Sequence, residues 1–256
     1  MRVVLLFLCL LTFVSCGAKK MAIDHADTLL VHQITKRLPL YSQQKKELGD
    51  DVQKFLKDSK PLALEASPLL ENIEVNHEKV GPQYKRFEAF YMKLANRFSG
   101  LLSRYMAKLD AKQQKEFFET LDLENKELAR KDKTDILESV EERFKYFMGT
   151  ITEAQKQILV NYEEYFINRH KTRLKGREKL LNDIKLTYAD DSSLATKTKT
   201  FQELMVKYQE RNAEENKNAE ILEKIVPTMT DLQKKHFHKE TQEIKELLGY
   251  FMTVDY

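Results

Sequence analysis

Apolar residues recur at helical spacing along most of the chain, and this pattern predicts a series of amphipathic helices. The clearest stripe follows Pro82, a residue suited to a first helical turn, and continues to about Lys108. Its apolar positions are Phe87, Phe90, Tyr91, Leu94, Phe98, Leu101, Leu102 and Tyr105. The same spacing predicts helices over residues 23–37, 42–57, 111–131, 134–148, 153–187, 194–225 and 231–251, and a weaker one to about residue 76, punctuated by Pro61 and Pro68.

Residues 141–166 predict two helices that meet at one sharp corner. Gly149 can adopt the left-handed conformation that ends a helix. Thr152 and Gln155 have the spacing of a capping box, in which the threonine hydroxyl and the glutamine side chain each accept from the other residue's backbone N–H. A new helix is therefore expected to begin at Glu153. Its apolar face is Ile158, Leu159, Tyr162, Tyr165 and Phe166.

A short unit, made of an apolar residue, a capping residue and a glutamine three positions later, occurs more than once. Its cap and glutamine positions are Asp110 and Gln113, Thr152 and Gln155, and Thr230 and Gln233. Leu40 and Gln44 suggest a fourth copy, although Tyr41 cannot cap and Ser42 lies one position late. Two interpretations stay open, because many helices begin this way and the repetition could also mark kinship or a recognition surface.

The composition agrees with a helical protein, since glycine and proline number only seven and five and no proline lies between Pro82 and Pro227. We predict an all-α fold, an irregular bundle of about seven to nine amphipathic helices. The helical domain should cover residues 23–256, with a possible subdivision near residue 80. Charged residues make up 32% of the chain and the net charge is +3. Such interspersed, nearly balanced charge favours solvated helix faces and predicts no nucleic-acid partner.

The N-terminus has the form of a targeting signal. Arg2 precedes an apolar run over residues 3–14, which is shorter than the roughly 20 residues that cross a bilayer as a helix. The residues around Cys16 resemble the lipobox of bacterial lipoproteins: Phe13, Val14, Ser15, Cys16 and Gly17. The resemblance implies a cleaved signal peptide over residues 1–15, acyl chains on Cys16 and a lipidated linker over residues 16–22. An ordinary secretory signal and an uncleaved anchor are the alternatives.

Cysteine usage fits the lipoprotein interpretation, because the chain has two cysteines and Cys9 lies in the segment expected to be removed. Acylation of Cys16 would leave no thiol for a disulfide, whereas secreted domains commonly rely on them. More than one acyl chain gives a stable membrane anchor. By resemblance to enterobacterial sorting rules, Gly17 favours the outer membrane, with the protein facing the periplasm.

Two stretches resemble a family of bacterial lipoproteins known as domain of unknown function six-two-seven-nine, and the resemblance covers nearly the full mature length. The first stretch contains Ala26, Asp27, Leu29 and Leu30, and the second contains Arg143, Phe147, Gly149, Ile151, Thr152 and Gln155. Thr28 and Phe147 stand where the family usually has tryptophan. The resemblance implies no particular activity. Residues 151–155 and 229–233 also resemble the repeated Leu-Thr-x-x-Gln motif of small periplasmic stress chaperones, which form cradle-shaped helical dimers.

Candidate chemistry is sparse. His236 and His238 would point about 200° apart on a helix, which is unsuited to binding one metal ion. His25 and His32 share a face without a third partner. We find no glycine-rich phosphate loop, serine elbow or cysteine nucleophile in the sequence. We therefore predict no enzyme activity, no metal site and no cofactor.

A basic band stands out between residues 169 and 179, where one acid, Glu178, interrupts it. Its members are Arg169, Lys171, Arg173, Lys175, Arg177 and Lys179, with His170 beside them. The band could contact anionic lipid headgroups or an acidic partner. Alternatively, it is a solvated face that pairs with acids of neighbouring helices.

These features predict a lipid-anchored cell-envelope protein with a non-enzymatic binding or structural role and a protein partner. The alternative is a holdase-like periplasmic chaperone. A holdase should expose an apolar, adaptable surface, whereas a dedicated binding protein should not.

Overall fold

A computed structural model describes residues 16–71, 77–214 and 216–256, and within these ranges the chain forms helices and turns without any strand. The predicted all-α fold is confirmed. The predicted signal peptide, residues 1–15, lies outside the described residues. The helices are α1 (Cys16–Asp24), α2 (Ala26–Thr35), α3 (Ser42–Glu71), α4 (His77–Ala107), α5 (Ala111–Ala129), α6 (Lys133–Met148), α7 (Glu153–Val160), α8 (Glu163–Ala189), α9 (Leu194–Glu214), α10 (Asn218–Ile225) and α11 (Asp231–Thr253), with a 3-10 turn at Val226–Thr228 before α11.

The N-terminal region differs from the prediction, because residues 16–22 form most of helix α1 rather than a linker. Lys19 is buried and pairs with Glu243 of α11, and Ile23 joins the hydrophobic core. The predicted helix over residues 23–37 is divided at His25, which directly precedes α2. No helix of the described ranges has both the length and the apolar character that spanning a membrane requires.

Helix α3 is longer than predicted, since it continues through Pro61 and Pro68 where we expected interruptions. An internal proline removes one backbone hydrogen bond and crowds the preceding turn. The buried apolar face of α3, which continues on both sides of Pro61, accounts for the tolerance. Arg97 of α4 also donates to the Asp58 carbonyl in the preceding turn, at 2.7 Å. The buried positions are Leu56, Leu62, Ala63, Ala66 and Leu70.

Two predicted long helices are each divided in the structure. Residues 153–187 separate into α7 and α8 at Asn161, whose N–H donates to the carbonyls of both Gln157 and Ile158, at 3.2 and 3.1 Å, so the last turn tightens. Residues 194–225 separate into α9 and α10 around Asn216. The Asn216 side chain accepts from the backbone N–H of Asn218 at 3.0 Å, which competes with continued helix formation.

The buried apolar residues form two clusters. Helix α4 packs against α3, α9 and α10 and connects the clusters, because Phe98 lies in the first and Val80 packs against the second. Residue 80, where we considered a subdivision, thus lies within one continuous helix. Central members of the first cluster are Leu48, Val52, Leu56, Tyr105, Phe201 and Leu247. The second contains Val140, Met148, Leu159, Tyr162, Phe166, Ile221, Ile225 and Met229.

Candidate functional site

All three predicted capping boxes form. At the start of α7, the Thr152 hydroxyl accepts from the Gln155 N–H at 3.3 Å, and the Gln155 Oε1 accepts from the Thr152 N–H at 3.0 Å. The same two bonds join Asp110 with Gln113 before α5 and Thr230 with Gln233 before α11. The capping role of these residues is therefore confirmed. We did not predict a fourth box, Asp132 with Asp135 before α6, although its spacing is visible in the sequence.

The sequence did not reveal that Gln155 and Gln233 bind each other. Their side-chain amides exchange two hydrogen bonds: Nε2 of Gln155 donates to Oε1 of Gln233 at 3.0 Å, and Nε2 of Gln233 donates to Oε1 of Gln155 at 2.8 Å. Both side chains are buried, with exposed fractions of 0% and 1%. The pair thus joins the beginnings of α7 and α11 in the interior.

Every polar atom of this pair has a partner. Besides accepting from the other glutamine, each Oε1 accepts from its own cap residue, Thr152 or Thr230. Each Nε2 also donates across the corner, from Gln155 to the Thr228 carbonyl at 3.2 Å and from Gln233 to the Thr150 carbonyl at 2.8 Å. Both carbonyls lie two residues before the opposite cap, so the arrangement is nearly two-fold symmetric. Such full satisfaction is what allows amides to be buried without a large cost.

A second glutamine pair, between α3 and α5, repeats part of this geometry through one amide–amide hydrogen bond. Nε2 of Gln113 donates to Oε1 of Gln44 and to the Pro39 carbonyl, both at 2.7 Å. The Pro39 carbonyl again lies two residues before the opposite cap position, Tyr41, whose N–H donates to Oε1 of Gln44 at 2.9 Å. Residues 40–44 are therefore a fourth copy of the unit, without the capping side chain.

Tyr41 takes part in this second corner through its own side chain. Its hydroxyl donates to the carboxylate of Asp110 at 2.8 Å, and this bond raises the pKa of Tyr41. The Gln113 backbone N–H, followed by the Tyr41 hydroxyl, lowers the pKa of Asp110. The cap of one helix is thereby tied to the beginning of the other.

Gly149, directly after α6, determines the direction in which the backbone turns towards Thr152. Gly149 has φ +76°, a conformation that residues with a Cβ rarely adopt, and a Cβ there would lie 3.2 Å from the His236 ring.

We expect Gly149→Ala to lower the free energy of unfolding by about 1–2 kcal/mol. Urea denaturation would measure the loss. Gly49→Ala is the matched control, because a Cβ at Gly49, in the middle of α3, meets nothing within 4 Å, so a loss there as large as at Gly149 would contradict the explanation.

The predicted basic band divides into two faces of α8. Arg169, Arg173 and Arg177 are partly buried, whereas Lys171, Lys175 and Lys179 are exposed. Residues four apart share a helix face, and residues two apart point in nearly opposite directions. The arginines therefore face the protein interior and the lysines face solvent. The sequence contains this signal in the strict alternation of arginine and lysine, which our prediction did not use.

The inner arginines at the two ends have hydrogen-bond partners. Arg169 donates to Tyr165 of the same helix at 2.6 Å and to Asn216, between α9 and α10, at 2.7 Å. Arg177 donates to Asn125 at 2.6 Å and forms an ion pair with Glu124 at 3.2 Å. For Arg177 the second interpretation of the band, pairing with an acid of a neighbouring helix, is confirmed.

Arg173, in the middle, has a different environment. Its Nε is buried without a hydrogen-bond partner. Burial lowers the pKa of its guanidinium, the neighbouring Tyr208 opposes that effect, and the like charges of Arg169 and Arg177 add to it. Within the described ranges, no acidic side chain forms an ion pair with Arg173.

A cavity of about 170 Å³ lies beside these arginines, between α2, α4, α5, α8 and α9. Its wall is mostly apolar, with Arg37, Arg177 and Gln209 among its polar members. The principal apolar members are Phe98, Leu102, Met106, Phe117, Leu121 and Ile184.

Two of the histidines contact backbone carbonyls of other helices. His236 lies 3.1 Å through its Nε2 from the Tyr146 carbonyl, and His170 lies 2.9 Å from the Leu128 carbonyl. In the part of the chain that the structure describes, no three His, Cys, Asp or Glu side chains are grouped so as to hold a metal ion.

Comparison with known proteins found no match: neither a protein family, nor a curated protein, nor a solved structure is detectably similar to the chain. The resemblances to lipoproteins and to stress chaperones therefore stay predictions.

Proposed function

We propose that the chain is a lipid-anchored protein of the cell envelope that acts by binding, with Cys16 as the acylated residue. The observation that carries the proposal is the N-terminal sequence, in which a positive charge, a short apolar run and the small residue Ser15 precede Cys16. Acyl chains on this residue would attach the protein to a membrane, which we propose to be the outer membrane. The domain would then face the periplasm.

The docking of α1 supports this role, because it would couple an anchor directly to the folded domain. Lys20 lies over the ring of Tyr250, the Tyr250 hydroxyl donates to Asp24 at 2.7 Å, and the Tyr256 hydroxyl donates to the Ile23 carbonyl at 2.7 Å. A helix rises about 1.5 Å per residue, so the buried Lys19 lies only about 5 Å along the axis from Cys16. An anchored domain would thus stay close to the membrane surface.

The glutamine corners support a binding role located elsewhere than in the repeated motif. Gln113, Gln155 and Gln233 have exposed fractions of 2%, 0% and 1%. A partner could not contact them without opening the core. The motif therefore has a structural role, and the proposed ligand would bind elsewhere on the protein.

The anchoring proposal predicts that Cys16→Ser abolishes acylation and releases the protein from the membrane fraction. Metabolic labelling with palmitate and membrane fractionation measure the two effects. The matched control is Cys9→Ser, which changes the other cysteine of the chain and should keep both the label and the localisation. An unlabelled wild-type protein, or a Cys16→Ser protein that fractionates like the wild type, would refute the proposal.

A further inference from the structure

We infer that the cavity between α2, α4, α5, α8 and α9 binds a small amphipathic carboxylate. The carboxylate would lie at Arg37 and Arg177, which line the cavity, and the apolar body would fill it. This inference names a ligand class for the binding role proposed above and rests on it. It does not depend on the anchor.

The first argument is the excess of positive charge at an apolar cavity. Arg37 and Arg177 both line the cavity, and both pair with a single acid, Glu124, at 2.7 and 3.2 Å. Arg173 adds a third positive charge one helical turn from Arg177, although it does not itself line the cavity. Charges next to an apolar interior are normally paired. A bound anion would supply the missing negative charge, and the planar guanidinium group is well matched to a carboxylate.

The second argument is a buried donor without a partner close to the cavity. Nε of Arg173 has no hydrogen-bond partner, and Tyr208, which neighbours Arg173, lines the cavity. Buried polar atoms usually have a partner, so this donor indicates a bound acceptor at this end of the cavity.

The size of the cavity limits the apolar part of the ligand. A cavity of about 150 Å³ lined by apolar side chains accepts benzene. The present cavity, about 170 Å³, therefore suits a body of about six to eight carbon atoms. Octanoate is the simplest molecule that combines such a body with one carboxylate. We commit to a free acid of this size rather than to the end of a longer lipid chain.

Calorimetric titration of the full chain carrying Cys16→Ser tests the inference separately from the anchor. The probes are acetate, hexanoate, octanoate, dodecanoate and octylammonium. We expect binding that is tightest for octanoate, with acetate and octylammonium not bound. The inference would be overturned if octanoate bound more weakly than the other acids, if octylammonium bound as tightly as octanoate, or if affinity rose steadily with chain length.

Three variants locate the site. Arg177→Gln should weaken octanoate binding about tenfold, as expected for losing a hydrogen bond to a charged group. Leu102→Phe should abolish binding by filling the cavity. Lys175→Gln, on the exposed face of the same helix, should bind like the parent chain. Circular dichroism checks that each variant is folded; if Leu102→Phe is not, Arg177→Gln decides alone. Octanoate binding that Arg177→Gln leaves unchanged would refute the site, while palmitate labelling of the wild type would still test the anchor.

Discussion

Replacing Gln155 with alanine should lower the free energy of unfolding by about 3 kcal/mol, because two backbone groups lose their only side-chain partner inside the protein. The Thr152 N–H loses its acceptor and the Thr228 carbonyl loses its donor. Both hydrogen bonds with Gln233 disappear as well. Bulk water does not reach these groups, since the exposed fraction of the Gln155 side chain is 0%. Urea denaturation followed by circular dichroism would measure the loss.

Gln157→Ala is the matched control for this variant, since Gln157 is exposed on the same helix. It should change stability by less than about 0.5 kcal/mol. A double-mutant cycle with Gln233→Ala isolates the exchanged pair. The double variant should lose clearly less than the sum of the two single losses, because either one alone already breaks both mutual bonds. Additive losses would show that the two glutamines act independently.

The capping boxes were predictable because they are local. The positions of Thr152 and Gln155, three residues apart, determine which backbone N–H groups their side chains can reach. The pairing of Gln155 with Gln233 is not local, since 78 residues separate them, and 69 residues separate Gln44 from Gln113. The unequal spacing of the repeated units along the chain does not indicate which copies contact each other in the fold. Only the packing of the helices brings these amides together.

Helix continuity shows the same limit. Pro61 and Pro68 carry a strong local signal against a helix, yet the buried face of α3 outweighs it. Conversely, the local pattern predicts one helix where Asn216 divides α9 from α10. The side chain of Asn216 accepts from Arg169 and donates to Glu88, so contacts from two distant helices stabilise the division.

The cavity was the part of the candidate site that the sequence could not predict. The arginines were visible as a band, and their four-residue spacing could have placed them on one inner face. Whether a buried arginine has an acid beside it depends on residues far away in the chain. Glu124 reaches Arg177 from α5, whereas Arg173, four residues earlier, forms no ion pair with an acid of the described residues. A difference of one helical turn thus separates a paired charge from an unpaired one.

Both hydrophobic clusters contain a corner at which glutamines join the beginnings of two helices. Each corner also places apolar residues of the repeated unit in a core. Leu40 and Leu109 are buried in the first cluster, and Met229 is buried in the second, with Ile151 packed against it. The repeated unit therefore fixes both where a helix begins and which other helix begins beside it.

Replacing Gln155 with glutamate should produce a loss of stability that depends on pH. The introduced carboxyl can still accept from the Thr152 N–H, but when it is ionised it cannot donate to the Thr228 carbonyl or to Oε1 of Gln233. Burial and these facing oxygens should raise its pKa in the folded protein above the value of about 4.3 that an unfolded chain gives it. The protonated form, which can donate one hydrogen bond, is then favoured by folding.

The sign of the effect follows from the raised pKa. Below about pH 4.3 the carboxyl is protonated in both states, and the variant should be at its most stable relative to the wild type. As the pH rises above this value, the variant should lose about 1.4 kcal/mol per pH unit until the pKa of the folded state is reached. Urea denaturation of the wild type, Gln155→Ala and Gln155→Glu between pH 4 and 8 would show it. The difference between wild type and Gln155→Ala should stay constant with pH, because alanine does not titrate. A Gln155→Glu difference that is equally constant would mean that the carboxylate reaches water, and the buried corner described above would be wrong.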